Sequence, residues 1–137
     1  MKKESKVRLT ITKLNHLVIE CELNSISSRF IVDTGASNSC VNFLSAKKFK
    51  INYTKSNEKA YSATNQISKT FFSNYNELKI GDCVKNNFKI ILFDMTHINS
   101  SLEDEGITKV DGIIGGDILN EFKAIIDYEN GILSLKF

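Results

Sequence analysis

The stretch Phe30-Ile31-Val32-Asp33-Thr34-Gly35-Ala36-Ser37 constrains this chain more than any other. Three apolar residues, two of them β-branched, run directly into Asp-Thr-Gly. The apolar run predicts a buried strand. Asp-Thr-Gly predicts a turn, because Asp bonds nearby backbone and Gly accepts φ > 0. A carboxylate is thus delivered at the tip of a core strand, an unfavourable place for a charge with neither partners nor a chemical role. Over these residues alone, a strand-to-turn junction with an Asx-type cap reads the same way.

A second segment narrows the reading: Val110-Asp111-Gly112-Ile113-Ile114-Gly115-Gly116-Asp117-Ile118-Leu119. Glycines mark places where backbones approach closely or turn. Ile113 and Ile114 are expected to fill the space under the Asp33 loop. By itself this segment is also compatible with an ordinary strand-Gly-helix corner.

The bulk properties exclude several classes. At 137 residues the chain is long enough for one domain, 1–137, with a real core. Hydrophobic content of 42% and charged content of 25% are ordinary for a globular protein. A net charge of +2 is too small to argue for nucleic acid. No apolar run approaches the ~20 residues needed to span a bilayer, and Arg8, Thr10, Thr12 and Lys13 interrupt any leader-like segment. Cys21, Cys40 and Cys83 are odd in number and widely spaced, which reads as reduced thiols in a cytoplasmic protein. With only His16 and His97, and no paired Cys or His spacing, neither a metal site nor a cofactor is expected.

In chain order, Val7–Leu14 and Leu17–Leu23 alternate and predict a hairpin, with Leu17, Ile19, Cys21 and Leu23 on one face. After the Asp33 loop, Asn42 is expected to cap a short helix over Phe43–Phe49. Ala60–Ala63 and Ile67–Phe72 are expected to pair across Thr64-Asn65-Gln66. Tyr75–Ile80 and Val84–Phe93 predict a second hairpin around Gly81-Asp82. Thr96 is the expected N-cap of a short surface helix that Gly106 stops, and Asp117 starts another over Ile118–Phe122. Ala124–Tyr128 and Ile132–Phe137 form a closing hairpin around Glu129-Asn130-Gly131.

Apolar-apolar-Asp-Thr-Gly-Ala-Ser, followed downstream by apolar-apolar-Gly, resembles the active-site signature of retropepsin-like aspartic proteases, over roughly residues 6–137. The resemblance implies an all-β fold: a closed acid-protease β-barrel with a psi-loop active site and one to three short helices. It implies Asp33, Thr34 and Gly35 as catalytic-loop residues. It places Ala36 and Ser37 beside the cleft, and a flap contributing Ala60, Tyr61, Ser62, Ala63 and Thr64 to an extended peptide. It also identifies Met95–Gly106 as an insertion relative to the small viral enzymes.

The chain carries one Asp-Thr-Gly; Asp82, Asp104, Asp111, Asp117 and Asp127 each lack the Thr-Gly or Ser-Gly. Aspartic peptidases need two carboxyls sharing a proton, because like charges ~3 Å apart cannot both ionise near neutral pH. The resemblance therefore implies a homodimer, with Asp33 meeting its symmetry mate and a peptide or protein as substrate. Viral members tie the dimer with an interleaved sheet of termini, whereas the C-terminus here reads as a hairpin. Two further readings stand beside an active endopeptidase: a non-catalytic peptide-binding or assembly module that keeps the fold, and a processing enzyme that cuts one partner at one site.

Overall fold

Alternation along Leu17–Leu23 buries Leu17, Ile19, Cys21 and Leu23 together with Phe30, Val32 and Ile114 in the main core. The computed structural model describes residues 2–55, 61–62, 65–66 and 70–137. In order they form β1 (Glu4–Arg8), β2 (Thr10–Ile11), β3 (Leu17–Leu23), β4 (Ile26–Val32), β5 (Cys40–Asn42), a 3₁₀ turn (Phe43–Ser45) and β6 (Thr54–Lys55). Then come β7 (Tyr61–Ser62), β8 (Asn65–Gln66), β9 (Phe71–Ile80), β10 (Cys83–Phe93), α1 (Thr96–Asp104), β11 (Gly112–Ile114), α2 (Gly116–Glu121), β12 (Ile125–Asp127) and β13 (Ile132–Lys136).

Strands run β3-β4-β11-β5-β10-β9, and β9 pairs back onto β3 through Glu22↔Lys79 and Leu23↔Leu78, closing a six-stranded barrel. The chain goes from β4 to β5 directly, yet these strands do not pair. β11 is inserted between them, parallel to β4 (Gly112↔Phe30, Ile113↔Ile31, Ile114↔Val32) and antiparallel to β5 (Gly112↔Val41, Ile113↔Cys40). This is the psi crossing that the resemblance to retropepsin-like proteases implies. Each fully buried Leu, Ile or Phe contributes about 1.5–3 kcal/mol. The barrel core therefore outweighs the exposed ion pairs such as Lys6–Glu4, worth ~0–1 kcal/mol each.

Four local expectations are corrected. Val7–Leu14 is not one strand: β1 pairs with β13, β2 pairs with β3, and the chain changes sheets at Leu9, whose N–H donates to Gly131 O (2.8 Å). Phe43–Phe49 forms only a 3₁₀ turn followed by further turns, with Phe49 drawn fully into the core. Asp94, not Thr96, supplies the acceptor at the start of α1: its Oδ1 takes the Thr96 N–H (2.8 Å) and hydroxyl. Finally, β7 pairs with β8 as Tyr61↔Gln66 and Ser62↔Asn65, so Asn65 and Gln66 are strand rather than turn. Phe71 and Phe72 pair instead with β6 and β10.

The inserted helix α1 is bolted down. Asn99, buried on it, donates to Val110 O (3.1 Å) and accepts from Val110 N–H (2.8 Å). Leu102, Met95, Ile107 and Val110 join Val18 and Ile31 in a second, smaller apolar cluster, against which Ile98 and Ile113 pack. The closing hairpin forms as expected, and β13 lies between β1 and β12 of the same chain. Among the described residues no helix is long and apolar enough to cross a membrane.

Two predictions follow from this packing. A Cβ on Gly112 would lie 2.3 Å from Cys40 O and 2.6 Å from the Phe30 ring. Gly112→Ala is expected to lower stability by at least about 1–3 kcal/mol, read as a drop in urea midpoint; an unchanged midpoint would contradict the tight crossing. The three cysteines are free and buried. Burial, the largest cause in each case, pushes the thiols of Cys21 and Cys40 up to about 12 and that of Cys83 up to about 11. A thiol reagent at about pH 8 should titrate all three only after unfolding, since the neutral thiol is poorly nucleophilic. Because the folded state favours the neutral form, this contribution to stability is intact below the ordinary thiol value of 9.0 and is lost as pH rises toward 12.

Candidate active site

The loop that carries Asp33 is held in shape by its own backbone. Asp33 N–H donates to Ile114 O (2.9 Å), extending the β4–β11 ladder by one bond past Val32. Ala36 N–H donates to Asp33 O (3.2 Å) and closes the turn. Gly35 N–H donates to Asp33 Oδ1 (2.8 Å), which fixes the rotation of the carboxylate. Gly116 N–H donates to Ala36 O (2.6 Å), tying the far side of the turn to the start of α2. Gly115 permits that approach, since a Cβ there would sit 2.6 Å from Ala36 O.

Asp33, Thr34, Gly35 and Ser37 are exposed in the single chain, and Ala36 is half-buried. Among the described residues, Gly35 N–H is the one hydrogen-bond partner of the Asp33 side chain. The loop therefore presents an oriented carboxylate outward on a rigid base.

Two residues that sequence reasoning did not assign to the site stand directly behind it. Ser39 Oγ accepts from Gly115 N–H (2.9 Å) and its hydroxyl donates to Asp117 Oδ1 (2.7 Å). Ser39 N–H donates to Asp117 Oδ2 (3.1 Å). Ser39 follows the first motif by two residues and Asp117 lies within the second, but nothing in a single sequence says that they pair.

Further down, Asp111 N–H donates to Arg29 O (2.7 Å), and Asp111 Oδ2 accepts from Arg29 N–H (2.9 Å), which aligns β11 with β4 before the crossing begins. Asn42 Oδ1 accepts from Leu44 N–H and Met95 N–H (both 3.2 Å), linking the end of β5 to the start of the inserted helix.

Other chemistries are not assembled here. Ser37 has no hydrogen bond to either histidine among the described residues: His16 contacts Thr12 (3.5 Å), and His97 is exposed on α1. Cys40 lies under the loop, where burial, reinforced by the Asp117 and Asp33 carboxylates, keeps its thiol neutral. Among the described residues no three His, Cys, Asp or Glu side chains gather to hold a metal ion. Of the expected substrate-contacting residues, Ala36 and Ser37 lie in the Asp33 loop, and Tyr61 and Ser62 lie in β7. Ala60, Ala63 and Thr64 lie outside the described residues.

The fold is shared with several solved structures. A retropepsin-like aspartic protease from Rickettsia conorii superposes with a TM-score of 0.61 at 19% identity, covering 100% of this chain and 94% of that one. The EIAV protease, solved with the inhibitor HBY-793, gives 0.63 at 15% identity, covering 86% and 98%. The retroviral protease-like domain of Ddi1 from Leishmania major gives 0.59 at 16% identity, covering 88% and 87%. A comparison with curated proteins finds no match. Residues 19–118 match the family model for aspartyl proteases. That match runs from β3 through the Asp33 loop and the psi crossing into α2, so it takes in both motifs and the strands that hold them, and the chain belongs to the aspartyl protease family.

Proposed function

We propose that this protein is an aspartic endopeptidase whose catalytic dyad forms when two copies bring their Asp33 carboxyls together. The observation that carries this reading is the Asp33 loop itself: a carboxylate rotationally fixed by Gly35 N–H, exposed, and belonging to the one Asp-Thr-Gly of the sequence. A second copy supplies the missing half.

In the dimer, the ionised Asp33 of one protomer takes a proton from a bound water as that water attacks the scissile carbonyl. The protonated Asp33 of its partner donates a hydrogen bond to the carbonyl oxygen and stabilises the developing negative charge. The two carboxyls titrate as one unit. Thr34 lies beside Asp33 on the exposed face, where its hydroxyl can bond across the dimer axis. Ala36 and Ser37 border the cleft, and Ala60, Tyr61, Ser62, Ala63 and Thr64 offer backbone groups to an extended peptide. Neither cofactor nor metal takes part.

The terminal strands shape how two copies can meet. β13 has both edges occupied within its own chain, by β1 and β12. Within one chain, then, β13 offers no free edge for a partner's terminal strand to pair with. Residues 1–137 act as a single domain in this scheme. Three free, buried thiols fit a reducing compartment such as the cytoplasm.

Asp33→Asn is the direct test. It should lower cleavage of a peptide library by roughly 10²–10⁴-fold or more, while sedimentation and thermal unfolding stay close to wild type. Retained cleavage would overturn the assignment of Asp33. A wild-type chain that stays monomeric at every concentration and binds extended peptides without cutting them would instead identify a non-catalytic module.

A further inference from the structure

Ser39 and Asp117 lie 78 positions apart and meet behind the Asp33 loop. The polarity of their contacts is fixed. Gly115 N–H can only donate, so Ser39 Oγ accepts from it and keeps its single hydrogen for Asp117 Oδ1. Asp117 Oδ2 faces the Ser39 N–H, another donor. Both carboxylate oxygens are therefore acceptors, each facing a Ser39 donor. Ser39 is only 1% exposed, so its hydroxyl has no water to fall back on, while Asp117 is half-buried.

Two more bonds complete the attachment. Asp33 N–H reaches Ile114 O and Gly116 N–H reaches Ala36 O. The start, middle and exit of the loop are thus each fastened to the consecutive residues Ile114–Asp117. The first two fastenings are backbone bonds, the second made possible by the bare Cα of Gly115. The third depends on two particular side chains.

We propose that Ser39 and Asp117 are positioning residues, which set the height and angle at which Asp33 is presented to its partner carboxyl. This rests on reading Asp33 as half of a shared-proton dyad. Neither residue touches substrate in this scheme. Two carboxyls share a proton only at ~3 Å, and a displacement of ~1 Å can cost on the order of a hundredfold in rate. Loosening the exit of the loop should consequently fall on kcat, since peptide binding is distributed over other groups.

The test compares Ser39→Ala, Ser39→Thr, Asp117→Ala and the Ser39→Ala/Asp117→Ala double variant. The readouts are kcat and KM on a peptide that the wild type cleaves, the dimer fraction by sedimentation, and amide hydrogen exchange of residues 33–38. Ser39→Ala and Asp117→Ala should each lower kcat by about ten- to a hundredfold, with KM within about twofold of wild type. The double variant should be no worse than the weaker single one, because both remove the same fastening. Ser39→Thr keeps the hydroxyl and should restore kcat to within a few fold. Wild-type kcat in Ser39→Ala, or a loss that merely follows the dimer fraction, would overturn the proposal. If the wild-type chain cleaves nothing, the proposed activity fails, but the positioning is still read: the Gly35 amide should exchange at least about tenfold faster in Ser39→Ala, and an unchanged rate would refute it.

Discussion

Everything at this site depends on one close approach: β11 passing between β4 and β5. At Gly112 the crossing leaves no room for a methyl group, because Cys40 O and the Phe30 ring already occupy that space. Once β11 is seated there, β4 and β5 cannot pair with each other. The chain that joins them must arch over the end of β11, and Asp33 stands at the top of that arch. The outward position of the carboxylate is therefore a consequence of strand order, and its rotation a consequence of a single Gly35 N–H.

The crossing also divides the apolar interior. Phe30, Val32 and Ile114 point into the barrel, while Ile31 and Ile113 point the other way and meet the residues of α1. A strand buried on both faces carries no alternation, which is why Phe30-Ile31-Val32 and Gly112-Ile113-Ile114 read as continuous apolar runs. α1 is thus a second wall of the psi sheet rather than a surface decoration. Asn99 fixes it through two buried bonds to one residue, Val110. Two such buried bonds are worth more than the exposed ion pair that links Lys13, in the β2–β3 turn, to Glu105 just past the helix, since that pair is screened by water.

Much of this was legible in the sequence because it is local. An apolar run ending in Asp-Thr-Gly, and Ile-Ile-Gly downstream, state their conformations within a few residues. Alternation in Leu17–Leu23 and the Asn130-Gly131 turn are equally self-contained. What the sequence did not reveal is set by partners far along the chain. The strand break at Leu9 is dictated by Gly131 O, the modest 3₁₀ turn after Asn42 by a side chain shared with Met95, and the Ser39–Asp117 pair by the crossing itself. Thr96 looked like a cap because Thr often is one, but Asp94, two residues earlier, offers a charged acceptor. Asn65 and Gln66, expected in a turn, pair instead with Ser62 and Tyr61, and β7 and β8 are only two residues each, with no periodicity to read.

The central claim is that two copies of Asp33 act as one unit. It is tested most directly by mixing wild-type protein with Asp33→Asn protein in varying proportion at constant total concentration, allowing exchange of protomers, and measuring peptide cleavage. If each active site needs a carboxyl from both copies, activity falls as the square of the wild-type fraction. Activity falling in simple proportion to that fraction would mean that each chain works alone, and the shared dyad would be contradicted.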